Sequence, residues 1–225
     1  MYRSPLELLI NLLTYESCRI CKSANGPLCQ NCCELLSSDE VSRCYKCNKI
    51  TKQSTVCRSC SSALRRVWWL GVYEGQLREL IGLLKYKRAR EVGRQLGVGL
   101  AAKLPYLDAE TLVVPVPTAP KRVRRRGYDQ AQILARSLAA EKNLSVVNVL
   151  IRTTQDDQIG KRRNERLVQM NKAFEVKKNN LAGKTVLLVD DVLTTGATLE
   201  SAARLLRQNG AVHVDAVVVA RHLLK

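Results

Sequence analysis

Apolar positions along the chain fall into two regimes. From Val67 onward, short uncharged runs alternate with stretches in which apolar side chains recur every three or four residues, the signatures of strand and helix. Val67 to Tyr73 predicts a strand. Gln76 to Tyr86 predicts a helix with Leu77, Leu80, Ile81 and Leu84 on one face, and Glu91 to Lys103 predicts a second. Thr111 to Val116 is a β-branched strand checked by Pro115 and Pro117, and Tyr128 to Lys142 is a helix with Ile133, Leu134 and Leu138 turned inward. Val146 to Ile151 predicts another strand. Thr185 to Val189 predicts an uncharged strand, then a turn, then a helix from about Thr198 to Gln208 that Asn209-Gly210 ends. Val212 to Ala220 forms the last strand. Such alternation predicts an α/β domain with a mainly parallel sheet covered on both faces.

The region before Val67 is built differently. Ser4, Pro5 and Glu7 mark a helix start, and Leu6, Leu9, Ile10 and Leu13 share one face, suited to packing on the rest of the protein. Residues 18 to 60 hold few large apolar side chains, so they need metal or disulfides to fold. The expected division is 1–64, an N-terminal helix and cysteine module, and 65–225, the α/β domain. With 46% apolar and 25% charged residues the composition is that of a soluble globular protein. No run is long and apolar enough to span a bilayer. The nearest, Leu6 to Leu13, is interrupted by Glu7 and Asn11 and has no small-residue cleavage site after it, so a cytoplasmic location is expected.

All nine cysteines fall between Cys18 and Cys60, and eight of them make four C-x-x-C pairs, Cys33 being left over. Each pair aims two thiolates at one point, and two pairs complete the tetrahedral four-sulfur shell that Zn2+ prefers. A reducing compartment favours zinc over a disulfide framework. Pairing in order gives one site from Cys18, Cys21, Cys29 and Cys32 and another from Cys44, Cys47, Cys57 and Cys60. An interleaved pairing is compatible with the same spacing. With all ligand positions closed, two such metals are structural.

Charge then adds a partner. Thirty-seven Lys and Arg against 20 Asp and Glu leave +17, which implies an anion: nucleic acid, a phosphorylated metabolite or acidic headgroups. Three basic segments, Lys85 to Arg94, Lys121 to Arg126 and Lys161 to Arg166, suit single-stranded DNA. Trp68, Trp69, Tyr86 and Tyr128 stand beside them as stacking candidates, although core packing is the better expectation for the two tryptophans. His213 and His222 are isolated and read as structural.

The most informative stretch is Val186-Leu187-Leu188-Val189-Asp190-Asp191-Val192-Leu193-Thr194-Thr195-Gly196-Ala197-Thr198. A buried strand ending in two carboxylates suits the vicinal hydroxyls of a ribose, both side chains being expected to face a solvent-filled cleft. The Thr-Gly-Thr loop entering a helix offers free N–H groups and a positive helix end to a phosphate, and Gly196 allows close backbone approach. All thirteen positions resemble the phosphoribosyl-diphosphate signature of type I phosphoribosyltransferases. More of the chain resembles the ComF/GntX family: the cysteine knuckles, Leu84-Lys85-Tyr86, Val114-Pro115-Val116-Pro117, Arg126-Gly127-Tyr128-Asp129-Gln130, then Gln158, Arg166 and Phe174. Family members usually carry Asn where this chain has Asp129 and Gln169.

The resemblance implies a type I phosphoribosyltransferase fold with an N-terminal double zinc ribbon, and a role in natural transformation alongside other competence machinery proteins. It implies that the segment after Pro117 is a flexible loop over the diphosphate, where Lys121, Arg122 and Arg126 would neutralise charge that Mg2+ bridges; as an exposed basic loop it would equally contact nucleic acid. The acceptor of a transferase reaction is not implied. Purine-salvage relatives place a carboxylate base where this chain has Thr194, so a non-catalytic sensor of phosphoribosyl diphosphate or a nucleotide, binding single-stranded DNA, is the second reading.

Overall fold

The computed structural model describes residues 17–23, 27–37, 42–52, 54–86, 89–153, 173–177 and 180–222. The helix expected from Ser4, the basic segment Lys161 to Arg166, and Gln158 and Gln169 lie outside the described residues.

Chain order is α1 (Gln30–Ser37), β1 (Val67–Val72), α2 (Gly75–Tyr86), α3 (Arg90–Lys103), β2 (Leu112–Pro115), α4 (Pro120–Arg126), α5 (Gln130–Lys142), β3 (Ser145–Val146), β4 (Leu150–Arg152), β5 (Phe174–Val176), β6 (Thr185–Leu193), α6 (Ala197–Gln208) and β7 (His213–Arg221). Five strands make a sheet in the order β1-β7-β6-β2-β3, with every neighbouring pair parallel. The central strands β6 and β7 are buried on both faces, which is why their sequences read as mainly apolar runs, with few charges, rather than alternating ones. One face packs Leu80, Ile81 and Leu84 of α2, Leu96 and Leu100 of α3 and Leu134 and Leu138 of α5. The other packs Leu199, Ala202, Ala203 and Leu206 of α6 together with Val149, Leu150 and Phe174. Among the described residues no helix is long and apolar enough to cross a membrane.

Three sequence expectations change. The single strand expected from Val146 to Ile151 is two: Val147 N–H still bonds to Val113 O on β2, but Val149 O accepts from Lys177 N–H, and β4 pairs antiparallel with β5 away from the main sheet. Exposed Asn148 interrupts the apolar run between Val147, which stays on the main sheet, and buried Val149, which leaves it. The strand expected to stop at Val189 runs to Leu193, because β7 continues beside it through Asp190↔Val218 and Leu193↔Arg221. The acidic pair therefore lies inside the strand. The basic loop after Pro117 is a short helix, α4, opened by Pro120 at its first turn and closed by left-handed Gly127, whose N–H bonds to Val123 O at 2.7 Å.

β2 lies between β3, which follows it in the chain, and β6, so strand order reverses around β2 and β6. Their carboxyl ends flank the crevice where open α/β sheets bind ligands.

Candidate functional site

Asp190 and Asp191 end up in different environments, as adjacent residues of a strand must when both faces are packed. Asp191 is buried, pairs with Lys85 Nζ of α2 at 3.0 Å and accepts from Gln130 Nε2 of α5 at 3.1 Å. The expectation that both carboxylates face a solvent-filled cleft thus fails for Asp191, because two helices covering that face bring a cation and an amide to it. Asp190 is half-buried and accepts the Asp191 N–H at 2.8 Å. Burial, then the neighbouring Asp191 charge, pushes its carboxyl well above the usual carboxylate range, with Lys85 only partly opposing. A hydroxyl donor or a cation arriving at Asp190 would relieve that penalty.

The loop follows at once. Thr194, Thr195 and Ala197 are exposed, Thr198 is half-buried and Gly196 is buried in a left-handed conformation with φ 80°. Gly196 is the N-cap of α6 and supplies no side-chain acceptor. The Ala197 N–H has only a long contact to Thr195 Oγ1 at 3.4 Å. Donors at the start of α6, a 12-residue helix, are thus left for an anion.

Across the crevice, Asp129 caps α5 by accepting from Ala131 N–H (3.0 Å) and also accepts from the Thr118 N–H (2.9 Å) and hydroxyl (3.0 Å), tying the exit of β2 to the start of α5. On α4, Lys121, Arg122, Arg124 and Arg125 are exposed, but Arg126 is buried. Tyr128 is buried with its hydroxyl on Leu84 O, and Trp68 and Trp69 are buried in the two cores. The three rings are therefore packing residues, not stacking platforms. Of the Lys85 to Arg94 segment, Lys85 serves Asp191 and Arg90 bonds to Gly127 O at 3.1 Å while covering the Tyr128 ring.

The cysteines gather in sequence order, with ligand atoms of Cys18, Cys21, Cys29 and Cys32, and of Cys44, Cys47, Cys57 and Cys60, within 4.8 Å of one another. The interleaved pairing is excluded, and none of the nine cysteines is in a disulfide. Sulfurs on a tetrahedral zinc stand roughly 3.8 Å apart for bonds of about 2.3 Å; Cys21 and Cys29 stand at 3.6 Å and Cys47 and Cys57 at 3.4 Å. Both quartets share one knuckle. Lys22 and Asn48, each directly after the second cysteine, are left-handed, and their N–H groups bond to the carbonyls of Cys18 and Cys44. In the first quartet, bonding to Ser23 holds the Cys21 thiol at about 6 whereas burial pushes Cys32 up to about 12, as expected where crowded thiols compete for too few charges. Two four-cysteine clusters of this form are compatible with structural zinc. Cys33 is no ligand: its thiol reaches Gln95 O at 3.4 Å and packs beside Gly99.

Sequence reasoning missed four contributors. Lys85 reads in the sequence as part of a DNA-binding basic segment, not as the partner of Asp191, and Gln130 stands in a recognised motif without a role. Glu200 looked like an ordinary first-turn helix acid, yet it is buried and receives Tyr45 and Ser62 hydroxyls from the cysteine module. Tyr45 had no local signal at all.

A phosphoribosyl transferase domain model matches residues 123–224. The competence protein ComFC of Bacillus subtilis is 28% identical over 194 residues, covering 81% of this chain and 79% of its own. Competence protein F of Haemophilus influenzae is 28% identical over 205 residues, covering 79% and 90%. The DNA utilization protein YhgH of Salmonella typhi is 30% identical over 162 residues, covering 67% and 70%.

Proposed function

The chain belongs to the ComF family, competence-associated proteins with a phosphoribosyltransferase-like domain, and from that premise we propose that it binds phosphoribosyl diphosphate, or a nucleotide with the same ribose phosphate, at the end of β6. The observation that carries this reading is the α6 entrance: exposed Thr194, Thr195 and Ala197 around left-handed Gly196, with no side-chain cap, directly after Asp190. The loop amides take the 5-phosphate. Asp190 takes ribose hydroxyls, and Asp191, held by Lys85 and Gln130, fixes the strand end. Mg2+ enters with the diphosphate; the charge that Asp190 bears poorly alone suits it to sit near that cation, and Lys121 and Arg122 offer further positive charge from α4. Two zinc ions fill the two cysteine quartets, and residues 1–64 and 65–225 act as module and ligand domain in the cytoplasm.

Calorimetry with phosphoribosyl diphosphate and Mg2+ tests this. Replacing Asp190 and Asp191 by Asn should weaken binding by about 1.5–3 kcal/mol per charge-assisted hydrogen bond lost at Asp190, with Asp191 acting through the strand end it fixes. Unchanged affinity removes both from the site. Thr194, at the position where purine-salvage enzymes carry a base, favours binding without turnover. Release of diphosphate with any of a panel of bases would instead make the protein a transferase.

We also propose that exposed cations, Arg124 and Arg125 among them, hold single-stranded DNA during uptake, near other competence machinery proteins. Affinity should fall with salt at a log–log slope of about −0.7 per phosphate contact. Charge reversal at Arg124 and Arg125 should flatten that slope; buried Arg126 is not suited to the test. No binding at low salt defeats the idea.

A further inference from the structure

The cysteine module reaches the loop that leads into α6. Tyr45, directly after Cys44, is buried, and its ring lies where Gly196 has no side chain: a Cβ on Gly196 would meet Tyr45 Cε2 at 2.6 Å and Cδ2 at 3.3 Å. The Tyr45 hydroxyl donates to Glu200, one turn into α6. The same carboxylate accepts from the Ser62 hydroxyl and from Ala63 N–H at 3.1 Å, and pairs with Lys46 at 3.0 Å. On the other flank, Arg221 donates to Tyr45 O at 3.3 Å and to Asn48 Oδ1 at 3.2 Å, with its guanidinium over the Trp69 ring. Arg221 pairs in the sheet with Leu193, the residue immediately before the loop. The second knuckle therefore touches Gly196 and Glu200 directly and reaches Leu193, at the other end of the loop, through Arg221. The first knuckle has no such contact among the described residues; it docks on α3 through α1 and Cys33.

We propose that Tyr45 is a positioning residue for the phosphate loop, and that the second cysteine quartet, by holding Tyr45 in its knuckle, sets the backbone of residues 194–198 for a phosphate. The ligand side of this inference rests on the reading of that loop given above. Tyr45 fills the space beside a left-handed glycine, so the loop need not be ordered when the anion arrives, and preorganisation of this kind strengthens binding. Coupling is reciprocal: a ligand on the loop slows metal loss from Cys44, Cys47, Cys57 and Cys60 and leaves the first quartet unaffected.

The test compares full-length Tyr45→Ala, Tyr45→Phe and Cys33→Ala with the native protein, each checked for two zinc ions per chain. Amide hydrogen exchange across 194–200 should be about tenfold faster in Tyr45→Ala, with β1 and the first knuckle unchanged. Tyr45→Phe, which keeps the ring, should restore exchange to within about threefold, and Cys33→Ala should not alter it. Affinity for phosphoribosyl diphosphate with Mg2+ should fall about tenfold in Tyr45→Ala. Native exchange in zinc-loaded Tyr45→Ala overturns the proposal. If that variant does not fold, zinc release from the native protein decides, with cysteine alkylation assigning the quartet: phosphoribosyl diphosphate that slows both quartets equally, or neither, overturns it. If the native protein does not bind phosphoribosyl diphosphate, the functional reading fails, and the exchange comparison still decides whether Tyr45 positions the loop.

Discussion

The two cysteine modules share a knuckle and differ in how they dock. Near the first, Leu28, Cys29, Cys32 and Cys33 join the apolar core of the sheet face formed by α2, α3 and α5, and Cys33 fits against Gly99 where a Cβ would come within 2.5 Å of its sulfur. The second joins the apolar core of the other sheet face through Tyr45 and Leu64, with Val56 and Ala63 against it, and adds a dense set of charges. Residues 42–66 include Arg43, Lys46, Lys49, Lys52, Arg58, Arg65 and Arg66 and no Asp or Glu. Their counter-charges come from α6 and β7: Glu200 against Lys46 of the module, and Asp215, almost fully buried, against Arg65 at the junction with the module, through two hydrogen bonds. Ligand spacing thus sets the knuckle, while the residues between and beside the ligands decide what it touches. Among the described residues only the second touches the loop entering α6.

The sharpest way to break the comparison is to remove one quartet at a time. Cys18→Ser and Cys44→Ser should each leave one zinc per chain by elemental analysis, and each should lose much of the roughly 10–16 kcal/mol that a structural zinc contributes to folding its own module. Cys18 lies in the apolar core, so its variant should also loosen α1 from α3, visible as fast exchange in α3.

Next in size is the charge docking. Asp215→Ala leaves Arg65, a third of it exposed, without its partner and should cost about 1.5–3 kcal/mol in denaturant unfolding. The apolar dock responds to volume instead. Gly99→Ala should cost about 1–3 kcal/mol by overpacking against Cys33, and Cys33→Ala in the same chain should recover part of that loss, a coupling that a double-mutant cycle measures.

The last effect, comparable in size with the apolar dock, is a pH dependence arising where the second module meets α6. Burial alone would raise the Glu200 carboxyl, but donation from Ser62, Tyr45, Ala63 and Lys46 prevails and holds it at about 2 against an ordinary 4.5. A depressed carboxylate stabilises the fold fully above its unfolded value and loses that contribution as pH falls. Native stability should therefore contain a component that disappears between pH 4.5 and about 2, and Glu200→Gln should lack it. An identical acid limb in both proteins would show that Glu200 carries no part of the docking.

Much of the molecule is legible in the chain itself. The parallel sheet follows from apolar runs alternating with helical periodicity, since strands buried on both faces admit few charges. The two quartets follow from C-x-x-C spacing, because a knuckle is a local turn. The strand, acidic pair and Thr-Gly-Thr entrance are contiguous, so their neighbourhood survives folding unchanged. What lay hidden depends on contacts between distant residues. Val149 leaves the main sheet for the β4–β5 pair, and the single polar residue before it, Asn148, does not say which partner the chain joins next. Asp190 and Asp191 are equivalent in sequence, and only the arrival of Lys85 and Gln130 on one face of β6 makes one a paired structural carboxylate and the other the group open to a ligand. Tyr45 and Gly196 lie far apart in the chain, and neither carries a local trace of the other. Periodicity and spacing report interactions along the backbone, whereas the partner of a side chain is chosen by how helices and modules pack, and that choice set the second knuckle against the loop entering α6.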